Sequence, residues 1–179
     1  MAAPDGKQRR LTFKQRRRLA DPIQDIVSFN DTESKIAIAS HPIHAMMVAF
    51  PIALAFSTLG ADVMYWVTGD EFWPRVALYA VGIAFAVGVL AAIAGTVELL
   101  MVPGIRIRSA SWTHFILAMV LLSVLGLNWG FRLEDPVGVV LPWGFLLSAL
   151  AAGMTGITGW HGGKLVFDYG IGMHGKVDR

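Results

Sequence analysis

The sequence predicts an all-α membrane protein: four transmembrane helices in an up-down-up-down bundle, with both termini in the cytoplasm. Three observations predict it. Of 179 residues, 55% are hydrophobic and only 16% charged, whereas a soluble domain carries about one quarter charged residues. Four apolar runs, roughly 42–67, 76–102, 110–131 and 137–161, each reach the ~20 residues needed to cross a hydrocarbon layer of about 30 Å. The connections between them are short, so consecutive helices should lie antiparallel and adjacent. Lipid offers no partner to a free backbone amide, which leaves helices or a closed barrel. The alternating pattern of a membrane barrel is absent.

Taken in order, residues 1–35 read as a basic cytoplasmic extension, with Lys7, Arg9, Arg10, Lys14, Arg16, Arg17 and Arg18 crowding its first half. Such a cluster beside a membrane meets anionic lipid, so no nucleic-acid partner is expected. The first apolar run begins some twenty residues after the cluster, unlike a cleaved signal peptide, and an Arg-rich transit peptide is not favoured. The four-helix domain is expected over residues 36–173, followed by a short cytoplasmic tail, 174–179.

Span one opens on SHPIHAMMVAFPIAL, residues 40–54. Ser40 reads as the N-cap and Pro42 fits a first turn. Pro51 lies deeper and should remove a hydrogen bond and kink the helix. TGDEFWP leads to span two, VPGIRIRSAS to span three and RLEDP to span four. Gly88, Ala91, Ala92 and Gly95 form a small-residue stripe in span two, and Ala149, Ala152, Gly153, Gly156 and Gly159 another in span four. Both stripes are expected to let helix backbones approach. Trp112 and Trp160 mark one membrane boundary, and Trp66, Trp73, Trp129 and Trp143 the other.

Charge sets the orientation. The loop after span two carries Arg106 and Arg108, and the C-terminal end carries Lys164, Lys176 and Arg179. The other two loops hold Arg75 and Arg132 against Asp70, Glu71, Glu134 and Asp135. The positive-inside rule then places the termini and the middle loop in the cytoplasm, in a cell inner membrane.

The chain has no cysteine. That excludes disulfides, thiolate-held clusters and covalent haem attachment, and leaves imidazole and carboxylate as the strong ligands. His41 and His44 open span one, His114 opens span three, Glu98 lies near the end of span two, and His161 closes span four. In the predicted topology all of them fall in one cytoplasmic layer, with His44, Glu98 and His114 about one turn, ~5 Å, inside. Facing imidazoles on diagonal helices suit axial ligation of a b-type haem, with His44 and His114 as the natural pair. His41 and His161 could ligate a second haem or hold propionates. A divalent ion on His44, His114, His161 and Glu98 is the alternative. The bland reading is a polar rim of histidines, with Glu98 paired to Arg106 or Arg108. Asp62 and Asn128 should form a smaller polar pair near the opposite boundary. No nucleophile motif, phosphate loop or HExxH occurs, so a non-catalytic role is expected.

HPIHAMMVAFPIAL, DVMYWVTGDEFWPR, WTH and TGWHGGKLVFDYGIGM together resemble the domain-of-unknown-function 2231 family of four-helix membrane proteins, over about residues 40–173. The family's opening resembles HPxHPMLVxFPI, matched by His41, Pro42, His44, Phe50 and Pro51, with Ala45 where proline is common. Its ending resembles GWLGGELVYRHGVGV, matched by Gly162, Gly163, Leu165, Val166, Gly170 and Gly172. Lys164 replaces the usual glutamate, Tyr169 stands where a histidine is common, and His161 replaces an apolar residue. A family ligand near the end would here be lost or shifted to His161. The family keeps company with Rieske-type and cytochrome-like modules, which implies a membrane redox system. The expectation is a haem b electron-transfer subunit with protein partners in a membrane redox complex and quinone as a further candidate partner. The alternatives are a cofactor-free structural or assembly subunit, and a protein binding a divalent metal ion.

Overall fold

Lipid leaves each apolar run one economical conformation, and the chain adopts it four times. The computed structural model describes residues 32–39 and 41–172. The basic extension up to residue 31, Ser40 and the tail from residue 173 lie outside the described residues. A two-residue strand, β1 (Ala37–Ile38), pairs antiparallel with β2 (His41–Pro42). Helices α1 (Ile43–Met47), α2 (Ala49–Thr68), α3 (Phe72–Met101), α4 (Pro103–Arg106) and α5 (Ser109–Glu134) follow. A π-helical turn (Val140–Gly144) then leads into α6 (Phe145–Phe167).

Four helical stretches are long and apolar enough to cross a membrane: Ile43–Thr68, Phe72–Met101, Ser109–Glu134 and Val140–Phe167. At 26 to 30 residues they measure about 39–45 Å, enough for the hydrocarbon core and the interfaces.

The ends follow local chemistry. Span one starts at Ile43, with Pro42 as the residue before the first turn and part of the hairpin; the expectation that Pro42 lies within the helix is corrected by one residue. Its irregularity falls at Val48, between α1 and α2. Pro51 has no N–H to give Met47, four residues earlier, so the break sits one turn before the proline. Gly69 closes α2 in the left-handed region, φ 67°, and donates its N–H to Tyr65 O at 2.8 Å. The Asp70 carboxylate accepts the N–H of Phe72 at 2.9 Å, which starts α3 four residues before the apolar run.

Neighbouring helices run antiparallel, as the residue pairs show. Cβ atoms added at Gly88 and Gly95 would meet Pro51 and His44 of the first span, and at Gly82, Gly88 and Gly126 the α3–α5 partners Trp129, Leu122 and Phe85. Each of α2 and α5 packs on both α3 and α6, so α2 and α5 are diagonal. The buried apolar cluster draws Ala55, Val81, Ala84, Leu125 and Ala151 from all four long helices. At the end where α3 stops, Leu99, Val102 and Ile105 form a second cluster against Phe115 and Ile171.

Two expectations about faces change. The α3 stripe packs inward as expected. On α6, Gly153, Gly156 and Gly159 look outward, with nothing within 4 Å of an added Cβ. The helix instead turns Ser148, Ala151, Ala152, Thr155 and Thr158 to the interior. Trp129 is no simple boundary residue either: its indole lies over Gly82 and against Phe85.

Candidate functional site

The antiparallel arrangement brings the start of span one, the end of α3, the start of α5 and the end of α6 to one end of the bundle. There His44 of α1 and His114 of α5 meet across the bundle, ring centroids 6.4 Å apart and planes at 84°. Each ring is tied to a neighbouring helix. His44 Nδ1 lies 2.8 Å from Ala91 O on α3, and His114 Nδ1 lies 3.2 Å from Thr158 O on α6. A carbonyl oxygen only accepts, so both Nδ1 atoms donate, which in the neutral imidazole leaves Nε2 as the acceptor. This is the orientation that metal-ligating histidines commonly take from backbone carbonyls.

Glycines make room for both rings. An added Cβ at Gly95 would lie 2.8 Å from His44 Nδ1, and one at Gly162 would lie 3.0 Å from His114 Cε1. Gly162 belongs to the closing GWHGG, so that motif seats His114 through its glycine.

The other residues of the expected layer stand differently. His41 is exposed on the hairpin and donates to Ala39 O at 2.8 Å. His161 donates to Ile157 O of its own helix at 3.0 Å. Glu98 is buried and accepts a hydrogen bond from Ser34 Oγ. Sequence reasoning missed Ser34, because the segment before the hairpin has no periodicity to mark it. That segment and the C-terminal end close over this layer, with Gly172 N–H donating to Thr32 O at 2.9 Å. Among the described residues, no three His, Asp or Glu side chains gather closely enough to hold a metal ion. Ser111 Oγ and Thr158 Oγ1, near His114, are buried without a hydrogen-bond partner among the described residues.

At the opposite end Asp62 and Asn128 belong to one network, joined by a residue that sequence reasoning placed in a loop. Arg132 lies in the last turn of α5 and is fully buried. It donates from Nη2 to Asp62 Oδ2 at 2.6 Å and to Ser148 Oγ at 3.2 Å, and from Nε to Asn128 Oδ1 at 2.9 Å. Asn128 Nδ2 in turn donates to Ser148 Oγ at 3.0 Å. Gly144 of the π turn makes room, since an added Cβ would sit 2.9 Å from Arg132 Nη2. The four-residue spacing of Asn128 and Arg132, one face of a helix, was the available signal. Asp62 Oδ1 and Arg132 Nη1 remain buried without a hydrogen-bond partner among the described residues.

The family model described as a predicted membrane protein, domain of unknown function 2231, matches residues 40–175. No curated protein and no solved structure matches the chain.

Proposed function

The chain belongs to the domain-of-unknown-function 2231 family of predicted membrane proteins, and from that premise we propose that it is a b-type haem-binding electron-transfer subunit of an inner-membrane redox system. One observation carries the reading: two imidazoles on diagonal helices, each fixed through Nδ1 by a backbone carbonyl.

The donor set fits: two imidazoles, ring centroids 6.4 Å apart, are the nitrogen donors that a b-type haem takes from a protein. His44 and His114 would hold the iron, and haem would supply one-electron chemistry at this end of the bundle. Ala91 O and Thr158 O would hold the two rings through Nδ1, and the Ser34–Glu98 and Gly172–Thr32 hydrogen bonds lie at the same end of the bundle. Electrons would pass to protein partners in the membrane or to quinone.

The test is optical. Full-length protein purified in detergent, and again after addition of hemin, should give a Soret band and a reduced-minus-oxidised cytochrome spectrum. His44→Ala and His114→Ala should each remove them. Wild-type protein without haem absorbance in either preparation overturns the reading.

A second reading is a cofactor-free structural or assembly subunit. It is favoured by the outward glycines of α6, where close approach by another membrane helix is unobstructed. It predicts that Gly156→Leu disrupts co-purification with partners while His44→Ala does not. A divalent ion on the same histidine pair would appear in metal analysis of the isolated protein.

A further inference from the structure

The loop between α3 and α5 carries an arginine that no carboxylate of the bundle takes up. Arg106 is exposed, and among the described residues it forms no ion pair. Arg108, two residues on, is instead buried, with Nε donating to Gly104 O at 2.9 Å and its guanidinium over the Tyr169 ring. A guanidinium keeps its charge at every physiological pH, and at a membrane boundary it draws its counter-ion from the headgroup layer.

Two hydrogen bonds fix Arg106 at the corner where these helices meet. Its Nη1 donates to Leu100 O, in the last turn of α3, at 3.3 Å. Its own carbonyl accepts the indole N–H of Trp112, in the first turns of α5, at 2.8 Å. The indole is held in turn against Phe115, ring centroids 6.0 Å apart. One N–H of the guanidinium is spent on Leu100 O, and the fork has further donors for a ligand.

From this corner both helices continue as exposed apolar rows. On α5, Trp112, Ile116 and Val120 recur at four-residue spacing, and on α3, Ile93 lies two turns before Leu100. All five are exposed, and α3 and α5 pack on each other. The rows run about 10–12 Å along the helices. Tryptophan collects where headgroups meet acyl chains, so the guanidinium stands at headgroup level with apolar surface beneath it.

We propose that this corner binds one anionic phospholipid, its phosphate on the Arg106 guanidinium and its acyl chains along the two rows. A planar guanidinium suits phosphate, because two parallel N–H donors meet two oxygens. Charge selects the class: the ammonium of a zwitterionic headgroup offsets its phosphate, whereas an anionic lipid keeps a net negative charge for the arginine. The opposite boundary has no such pull. Its exposed Arg75 lies four residues from Glu71, one turn of α3 away, with Asp70 beside it in sequence. The site faces the bilayer, uses neither histidine of the pair, and does not depend on a bound haem.

Native mass spectrometry of the full-length protein in detergent, titrated with dioleoylphosphatidylglycerol or dioleoylphosphatidylcholine, measures the bound lipid. One phosphatidylglycerol should bind about fivefold more tightly than phosphatidylcholine, the effect of one arginine beside anionic lipid. Arg106→Gln should bring the two lipids to equal affinity while the helical circular dichroism is kept. Lys164→Gln and Arg75→Gln, which remove exposed cations elsewhere, should keep the preference. Equal affinities in the wild type overturn the proposal, and so does an Arg106→Gln protein that retains the preference or a Lys164→Gln protein that loses it. Glycerol phosphate, which has the charge without acyl chains, should not compete. Competition equal to that of the lipid would make the ligand a free phosphate and overturns the lipid site. None of these outcomes touches the haem reading, which is decided by absorbance.

Discussion

At the scale of single residues, the histidine pair depends on what lies beneath the rings. Gly95 leaves His44 its place: an added Cβ would come within 2.8 Å of Nδ1, the atom held at 2.8 Å by Ala91 O. Gly95→Ala should therefore displace the ring, cost about 1–3 kcal/mol as an overpacked site, and, under the proposed function, weaken haem retention. Gly60, with nothing within 4 Å of an added Cβ, provides the control. Gly60→Ala should gain up to about 1 kcal/mol from helix propensity, and thermal melts in one detergent compare the two. The buried ion pair tests the opposite end. Removing one partner leaves a charge alone in the interior, so Asp62→Asn or Arg132→Gln should each cost about 3–5 kcal/mol. The double replacement Asp62→Leu with Arg132→Met should recover most of that loss, because an apolar pair needs no compensation. If the double variant is as unstable as the sum of the singles, the network does not act as a pair.

At the scale of elements, Pro51 separates α1 from α2 and so sets the approach of His44 to the bundle. Pro51→Ala restores a donor to Met47 O and should extend one helix through Val48. Helicity by circular dichroism should hold or rise, while the His44 ring turns away from His114 and, under the proposed function, haem affinity falls at least tenfold. Glycines on two helices give a sharper contrast. Gly88 faces Leu122, which an added Cβ would meet at 2.7 Å, whereas Gly156 faces open space. Gly88→Leu should unfold the bundle and Gly156→Leu should leave the isolated protein as stable as wild type. The four spans were legible because lipid length is written directly into apolar runs. The His44–His114 pairing was legible because short loops dictate which helix starts share a face. Three features were not. Arg132 borders RLEDP, and a charge next to a turn reads as solvated until its helix is seen to run on to Glu134. The face of the α6 glycines turns on helical phase, and their threefold spacing also suits an inward stripe. Ser34 reaches Glu98 through tertiary folding of a segment without periodicity.

At the scale of the whole molecule, burial changes the charge count that sets orientation. Arg132 is taken up by Asp62 inside the bundle, so it no longer counts as a loop cation on the side opposite the histidines. The loops at that end are left with Arg75 as their basic residue, beside Asp70, Glu71, Glu134 and Asp135. At the histidine end stand Arg106 and Lys164, and the sequence that leads into span one carries seven basic residues at positions 7–18. Arg108 is buried there against Gly104 O and the Tyr169 ring, yet it still lies at that end. The asymmetry is therefore steeper than the sequence count alone implied, and most of its cations lie in the N-terminal extension. This makes a specific prediction. A phosphatase reporter fused after residue 179 should be inactive, and a fluorescent reporter bright, as for a cytoplasmic C-terminus. Converting the seven basic residues of positions 7–18 to glutamine should leave only Lys35, Arg106, Arg108, Lys164, Lys176 and Arg179 as the remaining bias and produce a mixed population by both reporters. Adding lysines to TGDEFWP in that background should invert it. An active phosphatase reporter on the unaltered chain would place the histidine pair on the outer face.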